Sequence, residues 1–250
     1  MGIKSLRSIA IAGVAAGIAL AVLPAVAVGG TVATTNAANH VITHFGPHTK
    51  SVSQSSNWSG YAKTGSFTTI SGHWTVPTVS GTGSHFSSQW AGIDGFSNSN
   101  LIQTGTEADV INGRASYDAW WEILPAAETV ITGMAVRPGD SMTATITKVS
   151  GTTWNIKLTN NTTGVTFNSN KTYGGPGTSA EWIEEATEVN GRIGTPPRFT
   201  TFTFNSLTAN GVNPNLTTAQ EILLVQGTTT YSTPSAPTGG NSFSVRYTGP

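Results

Sequence analysis

The run SMTATITKV, residues 141–149, alternates Met142, Ala144 and Ile146 with Thr143, Thr145 and Thr147. A period of two sends successive side chains to opposite faces, so such a run buries one face only as a β-strand. The same period recurs through Trp154, Ile156 and Leu158 of TWNIKLTN, through FTTFTFNSL, and through Phe243, Val245 and Tyr247 of SFSVRYTG. EILLVQ is a short apolar run that suits a strand covered on both sides. Turn formers separate these runs, in RPGD, NNTTG, YGGPG, GTPP and NGVNPN. Short strands with turns between them, and no fixed-period repeat, predict an all-β sandwich or barrel. One segment resists. TSAEWIEEATEV (residues 178–189) has strong helix formers and a Thr or Ser positioned to cap them, and it reads equally well as helix or strand. As a strand it would set Ala180, Trp182 and Glu184 on one face and Glu181, Ile183 and Glu185 on the other.

Only 10% of the residues are charged and the formal net charge is zero, so nothing argues for nucleic acid as a partner. Seven Trp, nine Phe and five Tyr supply a core large enough for one domain. The absence of cysteine removes thiol catalysis and thiolate metal sites. Lys4 and Arg7 precede an apolar stretch that ends in the small-residue site Ala25–Ala27. This pattern predicts a secretory signal peptide over 1–27 and an extracellular protein with no stable membrane association after its removal. Residues 28–56 read as a leader or short pro-segment, and a single domain is expected over 57–250. The leader carries His40, His44 and His48. Charging them as pH falls toward about 6 is expected to loosen the leader from an acidic cleft.

The chemistry narrows by exclusion. No HExxH, GxSxG elbow or phosphate-binding loop is present, and outside the leader the only histidines are His73 and His85. Carboxylates and amides remain. In YDAWWE a strand would place Asp118, Trp120 and Glu122 on one face, lining a groove rather than a dry core, because unpaired buried carboxylates are costly. In LIQTG an apolar run leads to Gln103 where an aspartic peptidase would have its acid, and an amide cannot act as a general base.

NWSGYA (57–62), GHWTVPTV (72–79), SQWAGIDG (88–95), LIQTGTE (101–107), YDAWWEILP (117–125) and SAEWIEEATE (179–188) together resemble the glutamic peptidases, or eqolisins. The resemblance implies a sandwich of two antiparallel sheets with a concave active-site face. It also implies a Gln/Glu catalytic pair, which falls on Gln103 and Glu181, and it makes residues 180–185 a strand. Trp90, Asp94, Asp118, Trp120 and Glu122 would bind substrate. The implied protein is a monomeric, secreted acid endopeptidase that acts on protein or peptide substrates without metal or organic cofactor. Fungal members usually carry cysteines, and their absence here suggests a bacterial member. Two other readings of the residues stand beside this one. A glycoside hydrolase would use Glu122 with Glu181. A non-catalytic carbohydrate-binding sandwich would use Trp90, Trp120 and Trp121 as sugar platforms.

Overall fold

The computed structural model describes residues 41–47, 49–51 and 54–250. The expected signal peptide and the leader histidines His40 and His48 lie outside them. Apart from one short 3₁₀ turn at Thr218–Gln220, the regular elements among the described residues are all strands. In chain order these are β1 (Ile42–Thr43), β2 (Thr49–Ser51), β3 (Gln54–Ser55), β4 (Trp58–Thr64), β5 (Thr69–Thr75), β6 (Val79–Ser80) and β7 (Ser87–Ile93). They continue as β8 (Ile102–Ile111), β9 (Arg114–Ile123), β10 (Thr129–Val130), β11 (Ser141–Ser150), β12 (Thr153–Asn160), β13 (Val165–Thr172) and β14 (Ser179–Ala186). The last are β15 (Glu188–Val189), β16 (Arg192–Ile193), β17 (Arg198–Phe199), β18 (Phe202–Ala209), β19 (Glu221–Gln226), β20 (Thr229–Pro234) and β21 (Phe243–Tyr247).

The alternating runs fold as their period requires. In β11, Met142, Ala144 and Ile146 are buried, and in β12 so are Trp154, Ile156 and Leu158. A 16-stranded sheet has the central order β10-β9-β8-β7-β14-β4-β19-β20-β21-β18-β5-β11-β12-β13. It turns back at β19, which pairs with β4 on one side and β20 on the other. Two facing layers result. Trp74 Nε1 donates across the gap to Thr106 Oγ1 (3.0 Å), and Trp182 Nε1 donates to the Ser71 carbonyl (3.0 Å). Between the layers lies an apolar core that includes Tyr61, Ile70, Trp74, Ile93, Trp182 and Phe204. This is the expected two-sheet sandwich.

The ambiguous segment is strand β14, paired with β4 and β7 along its whole length. Its helix formers are overridden because both edges are hydrogen-bonded and Trp182 is buried between the layers. All eight residues of β14 are buried, as are all seven of β7. Their second face is covered by a smaller apolar cluster of Trp58, Ala62, Trp90, Leu101, Trp120, Ile183 and Ile222. Gln103 and Glu181, the residues expected to form the catalytic pair, lie on that second face.

Candidate active site

Register fixes the site. Glu122 of β9 opposes Gln103 of β8, Gln103 opposes Gly92 of β7, and Gly92 opposes Glu181 of β14. Directly opposed residues share a face. Gln103 and Glu181 therefore stand in one row, two strand spacings or about 10 Å apart at Cα. Only a glycine separates them. A Cβ at Gly92 would lie 3.1 Å from Gln103 Cβ and 2.9 Å from Trp90 Cζ3, so any side chain there would close the gap. The neighbouring row runs Trp120–Gly105–Trp90–Ile183. A Cβ at Gly105 would strike the Gln89 carbonyl at 2.3 Å and Trp90 Cβ at 2.6 Å. The next row is Asp118–Glu107–Ser88–Glu185.

Around the gap, buried polar atoms go unpaired. Gln103 Nε2 donates to Glu122 Oε2 (2.7 Å) and to the His44 carbonyl (3.2 Å). Gln103 Oε1 and both carboxyl oxygens of Glu181 have no partner among the described residues. Burial pushes the Glu181 carboxyl well above the ordinary range.

Beside this gap lies a carboxylate cage with a histidine in it. The His44 ring stacks on Trp120 at 3.9 Å between centroids, 8° from parallel. Its Nδ1 lies 3.1 Å from Glu185 Oε2, and its Nε2 lies 3.2 Å from both Glu128 Oε2 and Glu107 Oε1. The His44 backbone N–H donates to both oxygens of Glu122, at 3.1 and 3.3 Å. Burial alone would lower the imidazole pKa. The charge of Glu185 and hydrogen bonds to Glu107, Glu128 and Glu185 outweigh it and raise the pKa well above 6.5. The carboxyls around it are pushed up mainly by burial, Glu107 to about 7, Asp118 to about 8 and Glu122 to about 8. The expected effect of charging His44 thus reverses: an imidazolium is held among these acids, not expelled. The His44, Glu107 and Glu128 donor atoms lie within 4.8 Å of one another, close enough to share a cation. Nε2 stands at hydrogen-bond distance from both carboxylates, so an imidazolium proton fills that role.

The remaining sequence-predicted residues separate into two groups. Trp90, Trp120, Asp118 and Glu122 share the face of Gln103 and Glu181. Trp90 Nε1 donates to Glu185 Oε2 (2.8 Å), and Trp120 Nε1 donates to Ser88 Oγ (3.0 Å). Asp94 sits in a hydrogen-bond network of its own. Its carboxylate accepts from Tyr173 Oη (2.7 Å), the Gly177 and Thr178 backbone N–H groups (both 2.8 Å), Asn98 Nδ2 (2.9 Å) and Thr178 Oγ1 (3.1 Å). It ties the end of β7 to the approach to β14. Trp121, a candidate sugar platform, lies on the opposite face, under Lys171. Sequence reasoning assigned no role to Glu107, Glu128 or Glu185. Two of them were within reach: QTGTE alternates Gln103, Gly105 and Glu107 onto one face, and Glu185 shares the face of Glu181.

The sequence profile of the Peptidase A4 family matches residues 56–247. The chain belongs to this family, the eqolisins, and is a glutamic-type peptidase. It is 32% identical over 186 residues to scytalidopepsin B of Scytalidium lignicola, covering 68% of this chain and 70% of that one. It is 29% identical over 198 residues to aspergillopepsin-2 of Aspergillus niger, covering 67% and 70%. A crystal structure of scytalido-glutamic peptidase with a transition-state analogue inhibitor superposes with a TM-score of 0.69 at 26% identity, covering 77% of this chain and 98% of that one. A structure of SCP-B, a member of the eqolisin family, in complex with the tripeptide Ala-Ile-His superposes with a TM-score of 0.60 at 25% identity, covering 77% of this chain and 98% of that one. The eqolisin has the expected sandwich and belongs to a family of peptide-bond hydrolases. The glycosidase and carbohydrate-binding readings fall away.

Proposed function

We propose that this eqolisin is a secreted acid endopeptidase in which Gln103 and Glu181 activate one water for direct attack on a peptide carbonyl. The observation that carries the reading is the gap over Gly92, flanked by unpartnered Gln103 Oε1 and Glu181 carboxyl oxygens. Unpaired buried acceptors around a side-chain-free space suit an ordered water. Glu181 as carboxylate takes a proton from that water, and as acid returns it to the leaving nitrogen. Burial favours the acid form, so the base form needs the solvation that an open groove provides. Gln103 orients the water through Oε1 and donates from Nε2 to the developing oxyanion. Trp90, Trp120, Asp118 and Glu122 line the cleft that receives a peptide. Asp94 is removed from the substrate contacts and acts as a clamp between strands.

The signal peptide over 1–27 directs export, residues 28–56 form the leader, and the catalytic unit works as a monomer. Casein digestion between pH 2 and 6 tests the reading, with a pepsin-type inhibitor as control. Gln103→Ala is expected to lose about 10²- to 10³-fold in rate. A Gln103→Ala enzyme of wild-type rate would remove the pair.

A further inference from the structure

The leader enters the groove as an extended peptide. The Asn190 backbone N–H donates to the Val41 carbonyl (3.1 Å), and the Glu128 N–H donates to the Ile42 carbonyl (3.2 Å). Strand β1 pairs antiparallel with β15. His44 follows, with its N–H on Glu122 and its carbonyl on Gln103 Nε2. Beyond it, Asn57 Nδ2 donates to the Phe45 and Gly46 carbonyls (3.4 and 3.3 Å). A Cβ at Gly46 would lie 2.4 Å from the Gly95 carbonyl oxygen, so this residue passes where only glycine fits. Main-chain groups are gripped in series and one side chain is taken into a pocket, the pattern of an extended peptide recognised by an enzyme groove.

The carbonyl facing Gln103 is the informative one. In the proposed chemistry the amide of Gln103 donates to the oxygen of the carbonyl under attack. The residue that presents this carbonyl is the acyl-side residue of the cleaved bond, and here it is His44. Its side chain defines what the adjoining pocket accepts: a flat cation, stacked on Trp120 and bonded at both ring nitrogens by carboxylates. Among the described residues, the charged groups that face His44 in the cage are all acids.

We propose that the Trp120-floored carboxylate cage is the subsite for a cationic side chain on the acyl side of the scissile bond, and that His44 is its first occupant, making His44–Phe45 the bond this chain cuts in its own leader. The inference rests on the Gln103/Glu181 reading. Water adds its hydroxyl to the His44 carbonyl carbon, and the bond to the Phe45 nitrogen breaks. The proton that Glu181 drew from the water passes to that nitrogen, leaving a His44 carboxylate and a Phe45 amine. Until the cut, the leader excludes other substrates from the groove.

The test is acidification of the full chain, followed by intact mass spectrometry and N-terminal sequencing. The expected product begins at Phe45. His44→Lys should keep this cut within about tenfold, because the charge is preserved, and His44→Glu should slow it by about 100-fold or more through an unpaired buried like charge. A wild-type chain left uncut, or cut elsewhere with His44–Phe45 intact, overturns the proposal, and so does His44→Glu cut there at the wild-type rate. Full-length Glu181→Gln separates this proposal from the one beneath it. If Glu181→Gln still releases Phe45 at the wild-type rate, the catalytic pair fails while the charge dependence at residue 44 still reads the cage. If it stays intact, its His44 imidazole should titrate well above 6.5 by NMR, and an imidazole titrating as in a free peptide overturns the cage.

Discussion

Asp94 and Glu181 are both buried acids at the β7–β14 seam, and they sit in opposite circumstances. Asp94 accepts five hydrogen bonds, whereas Glu181 has no partner among the described residues. Burial would raise both pKa values. At Asp94 the bonds from Tyr173, Thr178, Asn98 and Gly177 outweigh it and the pKa falls, while at Glu181 the nearby Ser179 hydroxyl is too weak to offset burial, the Asp94 charge adds to it, and the pKa rises. The same carboxyl group is thus fully hydrogen-bonded in one place and left without a partner in the other, which is what the proposed role of Glu181 requires. What differs is the number of donors within reach.

Two substitutions would break or sharpen this contrast. Glu181→Gln should cost between about 10² and 10⁴ in kcat/KM. It should leave Tm unchanged or slightly higher, since a neutral amide replaces a carboxyl already disfavoured as an anion. Asp94→Asn should do the reverse. An amide NH₂ would face donors on Tyr173, Gly177 and Thr178, at a cost of about 2–4 kcal/mol. The resulting loss in Tm is roughly 5–15 °C for a domain of this size, while the folded fraction keeps its activity within about tenfold. Thermal denaturation and steady-state kinetics on both variants decide it. An Asp94→Asn protein of wild-type Tm that is inactive would return Asp94 to the substrate contacts.

The contrast also fixes how stability depends on pH. The folded pKa values of Glu107, Asp118 and Glu122, about 7, 8 and 8, lie above those of an unfolded chain, so the stability they contribute is fully present below about pH 4. It is lost as pH rises to about 8. The raised pKa of His44 has the same sign, with its contribution present below about 6.5 and lost above its folded pKa. Asp94 runs the other way: its contribution is present above the ordinary carboxyl range and lost as pH falls through its lowered pKa. Tm of the full-length Glu181→Gln chain should therefore peak near pH 4–5 and fall by on the order of 10 °C by pH 8. A Tm that rises from pH 5 to 8 would contradict the assigned shifts. Glu107→Gln should flatten this fall, because it removes one raised carboxyl.

The fold was legible where one rule decided it. Met142, Ala144 and Ile146 could bury together only in a strand, and they do. Asp118, Trp120 and Glu122 came out on one face for the same reason. The segment at 179–186 was ambiguous because helix propensity is local, whereas pairing with β4 and β7 depends on residues about 90–125 positions earlier. The distinction between Asp94 and Glu181 was invisible for a similar reason. The donors to Asp94, apart from Asn98, come from residues 173–178, and no local pattern announces them. His44 was the hardest to read. Its contacts reach 59 to 141 residues along the chain from a segment with no period of its own.

The smallest expected effect lies on the other side of the sheet and serves as the control for the cage. Trp121 and Trp120 are neighbours in β9 with opposite environments. Trp120 stacks on a buried imidazole, and Trp121 lies 3.9 Å beneath the ammonium of Lys171, which is only partly buried. A cation over an aromatic face gains little while water still solvates it, about 0.5–1 kcal/mol. In the cage the cation is desolvated and its counter-charges are within 3.2 Å. Lys171→Ala should therefore lower Tm by no more than about 4 °C and leave kcat/KM unchanged. Its effect should disappear into the error at high salt, where exposed charges are screened. If Lys171→Ala altered peptidase activity as strongly as changes at residue 44, the functional division between the two faces of β9 would not hold.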